Sequence, residues 1–313
     1  MNGEEKKRLK KQLQEMDVID DFLFTEIMSD EKKGKEACRL ILSRVLKREV
    51  GEIDFTPQRV VPGVSEKTHG IRLDVYITEH TGEKTENDGG SIRVYDVEPD
   101  KRENKKGDLP KRSRYYADLI DVQLLETEVD YDSLPELVII FILSYDPFGA
   151  NAMMYEAGTI IKDHPEIPYD DGIRKLYLYV NGDLPENAGE DEKRLKALLK
   201  YIGSSVEKNV TDEGIRELDD IVKSIKLKRE VGVRYMKSWE REKEIRKEEQ
   251  EKTEAERRRA DKAEEDKAKA EEDRVKAEED RAKAERDRDS VLEERNNLEA
   301  ELAKYKAKYG AIA

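Results

Sequence analysis

Apolar side chains recur every three or four positions through the first fifty residues of the chain. Met16, Ile19 and Leu23 belong to one such series, and a second one follows it. This period is typical of amphipathic helices. A polar stretch at 29–34 (SDEKKG) interrupts the pattern and indicates a break. The sequence therefore predicts two helices within residues 13–50.

The pattern then changes to one that is typical of strands. Residues 71–78 (IRLDVYIT) and 91–98 (SIRVYDVE) alternate, and the Gly-, Thr-, Asn- and Asp-containing stretch at 80–90 between them predicts a hairpin loop. Residues 136–145 (ELVIIFILSY) are almost entirely apolar, as in a strand that is buried on both faces. Residues 174–181 (RKLYLYVN) predict one more strand.

Helical patterns lie between and after these strands. One helix opens at Pro110, since proline suits the first helical turn, and others are predicted at 190–207 and 212–226. This order indicates an α/β domain with a mixed β-sheet flanked by helices. We place that domain at residues 1–235 and a helical tail at 236–313.

The tail carries a seven-residue repeat that begins at Lys262 and reads KAEEDKA, KAEEDRV, KAEEDRA. Alanine and the Glu–Lys spacing of four both favour a long charged helix. Its middle part would pair alanine with Lys or Arg in a coiled coil, which is a poor seam, so a solvated single helix or spacer is expected there. A better seam follows, interrupted by Arg295, and predicts a short zipper that makes a homo-oligomer possible. Its apolar residues are Val291, Leu298, Leu302, Tyr305 and Tyr309.

The charged residues are unevenly distributed along the chain. Charged residues make up 43% of the 313 positions, and residues 240–309 alone hold 25 acidic and 21 basic side chains. The earlier part therefore keeps enough apolar residues for a core. A net charge of −14 argues against a protein that coats nucleic acid nonspecifically, although a local basic path remains compatible with it.

The cysteine content and the hydropathy of the chain indicate its cellular compartment. Cys38 is the only cysteine, which excludes an intramolecular disulfide framework and a cysteine metal cage. The first residues are polar and lysine-rich, and no run approaches the roughly 18 apolar residues of a membrane span. We expect a cytoplasmic protein without a membrane partner.

Three carboxylates are the first candidates for chemistry. Asp74 lies inside the first hairpin strand, Glu98 closes the second, and Asp100 follows two positions later. Adjacent antiparallel strands can bring such groups together, and Mg²⁺ binds one or two protein carboxylates together with waters and substrate phosphate. Isolated acidic residues on strands and turns are also commonplace, so the spacing alone leaves both interpretations open.

A cluster of basic residues follows these acids and could attract phosphate. The cluster comprises Lys101, Arg102, Lys105, Lys106, Lys111, Arg112 and Arg114. Tyr115 and Tyr116 add aromatic surface beside it. The alternative is a solvated loop followed by a helix that packs its tyrosines on the sheet.

Taken together, IRLDVYITE, SIRVYDVEPDK, LPKRSRYYADLID and LPELVIIFILSYDPF resemble the PD-(D/E)XK nuclease-like transposase family, also called recombination-promoting nucleases. The N-terminal DVIDDFLFTEIMSD is similar to that family too, and the likeness covers roughly residues 16–181. It implies an intracellular bacterial protein with a restriction-endonuclease-like core, and DNA cleavage dependent on Mg²⁺ or Mn²⁺ in recombination or mobile elements.

The resemblance also implies roles for individual residues. Asp74 and Glu98 match the family's metal ligands, whereas the third motif position, commonly lysine or glutamine, is Asp100 here. That departure leaves two possibilities: Asp100 is a third ligand while Lys101 or Lys111 supplies the catalytic positive charge, or the site is degenerate.

The remaining roles concern DNA and the metal shell. Candidates for holding DNA are Lys105, Lys106, Arg112, Arg114 and Tyr116, and for Tyr116 packing on the sheet is the favoured alternative. Glu26, on the first predicted helix, either completes the metal shell or is a surface glutamate.

Three functions remain in competition: a metal-dependent DNA endonuclease, a catalytically degenerate DNA-binding or regulatory module of the same fold, and a scaffold built on the tail. The presence of both Asp74 and Glu98 favours the first, and Asp100 favours the second. Nucleotide-binding and serine-hydrolase motifs are absent from the sequence, and the three histidines are too scattered for a metal motif.

Overall fold

A six-stranded mixed sheet forms the centre of the N-terminal unit, Met1–Ser238. The structure is a computed structural model that describes residues 2–63, 69–81, 92–101, 108–125 and 130–310. In chain order the strands are β1 (Glu52–Val61), β2 (Ile71–His80), β3 (Ile92–Asp100), β4 (Glu136–Leu143), β5 (Met154–Ala157) and β6 (Ile173–Tyr179). Their spatial order is β1-β2-β3-β4-β6-β5.

Strand direction changes across the sheet. The first three strands form an antiparallel meander, β3, β4 and β6 run parallel, and β5 adds an antiparallel edge. The expected mixed sheet is thus confirmed. The sequence did not predict β5 as a strand.

Seven α-helices occur in the part of the chain that the structure describes. They are α1 (Gly3–Glu15), α2 (Asp21–Met28), α3 (Glu31–Leu46), α4 (Asp108–Leu124), α5 (Glu190–Gly203), α6 (Glu213–Lys226) and α7 (Arg229–Tyr309). The break predicted at 29–34 separates α2 from α3, because Asp30 caps α3 by accepting a hydrogen bond from the Lys33 N–H. Leu13 belongs to the separate helix α1 rather than to the first predicted helix, which is a correction.

Two apolar layers cover the sheet. One contains residues of α2, α3, α5 and α6 packed on the face that includes Val75, Tyr95 and Val97. The other consists of α4 on the opposite face, with Val94 and Phe141. Successive β3 residues therefore alternate between the two layers, as a pleated strand requires.

A buried ion pair ties α3 to the sheet at the end of β2. Glu79, whose side chain is 2% exposed, accepts hydrogen bonds from Arg48 at 2.8 and 2.6 Å, from the Tyr95 hydroxyl at 2.5 Å and from the Gly51 N–H at 2.9 Å. The hydrogen bond from Arg48 is the main reason that the pKa of Glu79 falls to about 2. Stability from this group is therefore present above the unfolded-state pKa near 4.5 and is lost as pH falls towards 2.

We expect Glu79→Gln to remove this acid-sensitive contribution. Between about pH 5 and pH 2 the wild-type unfolding free energy should fall by about 2 kcal/mol more than that of the variant, since Arg48 is partly exposed and the pair is partly screened. Urea unfolding followed by near-ultraviolet circular dichroism measures this. Glu49→Gln, at an exposed neighbour, is the control. Parallel pH profiles for wild type and Glu79→Gln would contradict the assignment.

The second unit, Trp239–Ala313, contains most of α7. From Glu240 onward every side chain that the structure describes is exposed. Ion pairs form at the helical spacings of three and four, among them Arg258 with Glu254 at 3.9 Å and Arg274 with Glu271 at 2.7 Å. The predicted charged helix is confirmed.

Within the described residues, none of the helices has both the length and the apolar character that crossing a bilayer demands.

Candidate functional site

Three carboxylates line one face of β3. Asp96, Glu98 and Asp100 occupy alternate positions and are 0%, 5% and 7% exposed, respectively. Because Val94 shares their parity and packs in the α4 layer, the three acids lie on the face that α4 covers. Phe141 of β4 is the register partner of Glu98.

The hairpin brings Asp74 to this row. The last β2–β3 register pair is Val75 with Val97, and beyond it the Asp74 N–H donates to Glu98 Oε1 at 2.7 Å. The Asp74 carboxylate accepts a hydrogen bond from Gln58 Nε2 at 3.0 Å. Two of the three predicted metal ligands, Asp74 and Glu98, are thus joined by a hydrogen bond from the backbone of one to the side chain of the other.

Burial shapes the acidity of this cluster. It raises the pKa of Asp74 to about 6, with Asp21 of α2 as the second cause. Burial, followed by the charges of Asp96 and Asp74, raises the pKa of Glu98 well above its ordinary value. The site therefore concentrates more negative charge than its own surroundings neutralise.

Asp96 is a member that the sequence reasoning missed. Its side chain is fully buried, and neither carboxylate oxygen has a hydrogen-bond donor among the described residues. Burial is the main reason that the pKa of Asp96 rises to about 8, and the charge of Asp74 adds to this effect. The signal was the shared parity of positions 96, 98 and 100.

Arg112 supplies a positive charge beside this row. This α4 residue donates from Nη2 to Asp100 Oδ2 at 2.9 Å, and its guanidinium lies 4.7 Å from the Phe141 ring centroid and 5.9 Å from that of Tyr116. Burial disfavours its charge, but Asp100, Tyr116 and Glu98 outweigh burial and raise its pKa. Arg112 therefore partly neutralises the row while remaining charged.

The other predicted cations lie differently. Lys101 pairs with Asp20, next to α2, at 2.8 Å, and Lys111 and Arg114 are exposed on α4. Tyr116 is half-buried and packs against Phe141 with ring centroids 6.3 Å apart. Tyr116 therefore has the packing contact that was its alternative interpretation.

Glu26 is buried rather than a surface glutamate, and its two oxygens accept hydrogen bonds from Arg234 at 2.8 and 2.5 Å. Glu26 is therefore held in an ion pair with the start of α7, and the α2 acid whose charge acts on Asp74 is Asp21 instead. Lys105 and Lys106 lie outside the described residues.

The donor set limits what kind of cation the site can hold. In the described ranges, no group of three or more His, Cys, Asp or Glu side chains is arranged to hold a metal ion. The orphaned oxygens of Asp96 and the contact between Asp74 and Glu98 do fit a hard divalent cation, because Mg²⁺ needs only one or two protein carboxylates. Asp100 is a poorer ligand candidate, since Arg112 already binds its carboxylate.

Replacing Asp96, whose carboxylate has no hydrogen-bond donor among the described residues, should stabilise the metal-free protein. Because the folded-state pKa of Asp96 is raised to about 8, its cost to stability grows as pH rises from its unfolded value of 3.8. We expect Asp96→Asn in EDTA to gain about 2 kcal/mol, or roughly 4–8 °C in Tm, near pH 8 and less near pH 5.

Thermal unfolding at both pH values measures the gain, with exposed Asp118→Asn as the control. A lower Tm for Asp96→Asn at both pH values would mean that the buried carboxyl is structurally required.

Compared with protein-family models, curated proteins and solved structures, this chain has no match, so its fold and the geometry of this acidic site are the grounds for a function.

Proposed function

We propose that the N-terminal unit is a metal-dependent DNA endonuclease with a PD-(D/E)XK-type core. The observation that carries the proposal is the contact between Asp74 and Glu98 on neighbouring strands, beside two further buried carboxylates and Arg112. A mixed sheet with helices on both faces is compatible with that core. The resemblance of the RLDVY and YDVEPDK segments to recombination-promoting nucleases points in the same direction.

Asp74 and Glu98 are the residues that would hold Mg²⁺ or Mn²⁺. When bound, the cation supplies Lewis acidity that polarises the scissile phosphate and acidifies water. Gln58 orients Asp74 through its hydrogen bond to Oδ1, and the Asp74 N–H orients Glu98. Asp96 lies two positions before Glu98 on the same face of β3, and its charge contributes to the raised pKa of Glu98.

Arg112 takes the cationic role that we expected of Lys101 or Lys111. Its guanidinium is held by an ion pair with Asp100 and lies over the Phe141 ring. Lys101, in contrast, pairs with Asp20, and Lys111 is exposed on α4. A preorganised cation beside the carboxylates stabilises the extra negative charge of a phosphoryl transition state. Exposed Arg114 can contact the DNA backbone.

The second candidate is a degenerate module of the same fold that binds DNA without cutting it. The observation in its favour is Asp100, which stands where the related nucleases commonly carry lysine or glutamine and is held in an ion pair. Such a module would retain DNA binding through its basic residues and lack metal-dependent hydrolysis.

Conversion of supercoiled plasmid by the purified chain in Mg²⁺, Mn²⁺ or EDTA separates the two candidates. We expect nicked or linear product with either cation and none in EDTA. Binding of the same plasmid without product in any metal would refute the endonuclease and leave the degenerate module.

A further inference from the structure

The last part of α7 carries a row of exposed apolar side chains that the rest of the tail lacks. Val291, Leu298, Leu302 and Tyr305 are 65%, 60%, 55% and 68% exposed. Between Glu240 and residue 290 the exposed large apolar side chains are only Ile245 and Val275. Apolar surface concentrated in this way favours burial against a partner.

The spacing of these residues is that of a coiled-coil seam. Val291, Leu298 and Tyr305 are separated by seven positions, and Arg295 and Leu302 lie four positions after the first two. The five residues thus fill alternating core positions of successive heptads and lie along one side of the helix. We call them the C-terminal seam.

We propose that the C-terminal seam binds a second copy of this chain, and that the two helices pair antiparallel around residue 300. In this register Leu298 of each chain packs against Leu302 of the other. Arg295 of each chain likewise lies opposite Tyr305 of the other. A guanidinium against an aromatic ring is a favourable contact.

A parallel pair fits the same residues less well. It would place Arg295 against Arg295 of the second copy inside the core, where two like charges repel. At the flanking positions the two orientations are balanced. The parallel pair sets Glu294 against Glu299 and Glu301 against Lys306 of the second copy, and the antiparallel pair sets Glu294 against Lys308 and brings the two Glu301 residues together.

The flanking charges nearest the centre of the antiparallel pair are partly balanced within each helix. The Arg295 side chain lies 3.5 Å from the Glu299 carboxylate of its own chain. This ion pair reduces the repulsion between the two Glu299 residues, which approach each other near the twofold axis of the antiparallel pair. The core position of Arg295 therefore decides the orientation, because the antiparallel pair places it against Tyr305 of the second copy and the parallel pair places it against a second Arg295.

Sedimentation velocity on the full chain tests the association. The wild type is expected at about twice the chain mass of 36.3 kDa, and Leu298→Glu with Leu302→Glu at the single-chain mass. Val275→Glu, the same kind of change at an exposed apolar residue of the same helix outside the seam, should leave the mass doubled. A monomeric wild type, or a double variant that remains dimeric, would overturn the proposal.

Disulfide trapping tests the orientation. A mixture of Leu298→Cys and Leu302→Cys chains should form the mixed disulfide under mild oxidation in preference to either homodimer. Buried Cys38 is common to all chains, so unaltered protein is the background control. Predominant disulfides between two Leu298→Cys chains would show a parallel pair and overturn the antiparallel register.

Discussion

Glu98→Gln is expected to reduce metal-dependent plasmid cleavage by more than about a hundredfold, since loss of even an outer partner of a metal ligand costs about 10–100-fold. The glutamine keeps an oxygen that can accept the Asp74 N–H, so the strand end should hold its geometry. What it loses is the charge that would bind the cation. Asp74→Asn should cause a similar loss because the two carboxylates act as a pair.

Cleavage rates at saturating Mg²⁺ and Mn²⁺ measure this effect. Glu52→Gln, at an exposed glutamate of β1, is the matched control and should cleave like the wild type. Glu98→Gln protein that cleaves within a few-fold of the wild-type rate would place the chemistry elsewhere.

Arg112→Gln is expected to lower the cleavage rate by about a hundredfold, the cost of removing one preorganised charge-stabilising donor. DNA affinity should change much less, because a single phosphate contact contributes little to total binding. Arg112→Lys should recover part of the rate, since lysine keeps the charge but not the planar contact with Phe141. Rates and binding constants on one DNA fragment separate these effects.

Arg112→Gln also leaves Asp100 buried without its cation, and this can cost stability. The double variant Arg112→Gln with Asp100→Asn removes that complication. If the double variant regains wild-type cleavage, Arg112 serves only to neutralise Asp100 and has no direct role in the reaction. Arg114→Gln, two positions along the same helix and exposed, should affect the rate by a few-fold at most.

The sequence predicted the central elements of the fold because their periodicity is strong. Alternation identified β2 and β3, and an unbroken apolar run identified the doubly covered strand β4. It did not identify β5, whose four residues lie at a sheet edge and depend on pairing with β6. A short edge strand carries little pattern of its own.

The sequence singled out Asp74 and Glu98, which the structure joins by a hydrogen bond, but it did not identify the charged groups around them. Asp74 and Glu98 were identified by their positions on two neighbouring strands and by the resemblance, but the placement of Asp96 and Arg112 beside them depends on which face of β3 is covered by α4. The burial of Glu26 was also not predictable, because its partner Arg234 lies 208 positions away in the sequence and reaches it only in the folded chain. Linear spacing cannot decide which of many nearby charges is buried.

Binding of Mn²⁺ to the full chain, measured by electron paramagnetic resonance on wild type and Glu98→Gln in parallel, tests the central claim most directly. Both proteins carry the same acidic tail, so weak binding there cancels in the comparison. The account predicts one additional tight Mn²⁺ site per wild-type chain that is lost in Glu98→Gln. Identical Mn²⁺ binding by the two proteins would contradict a metal site at Asp74 and Glu98.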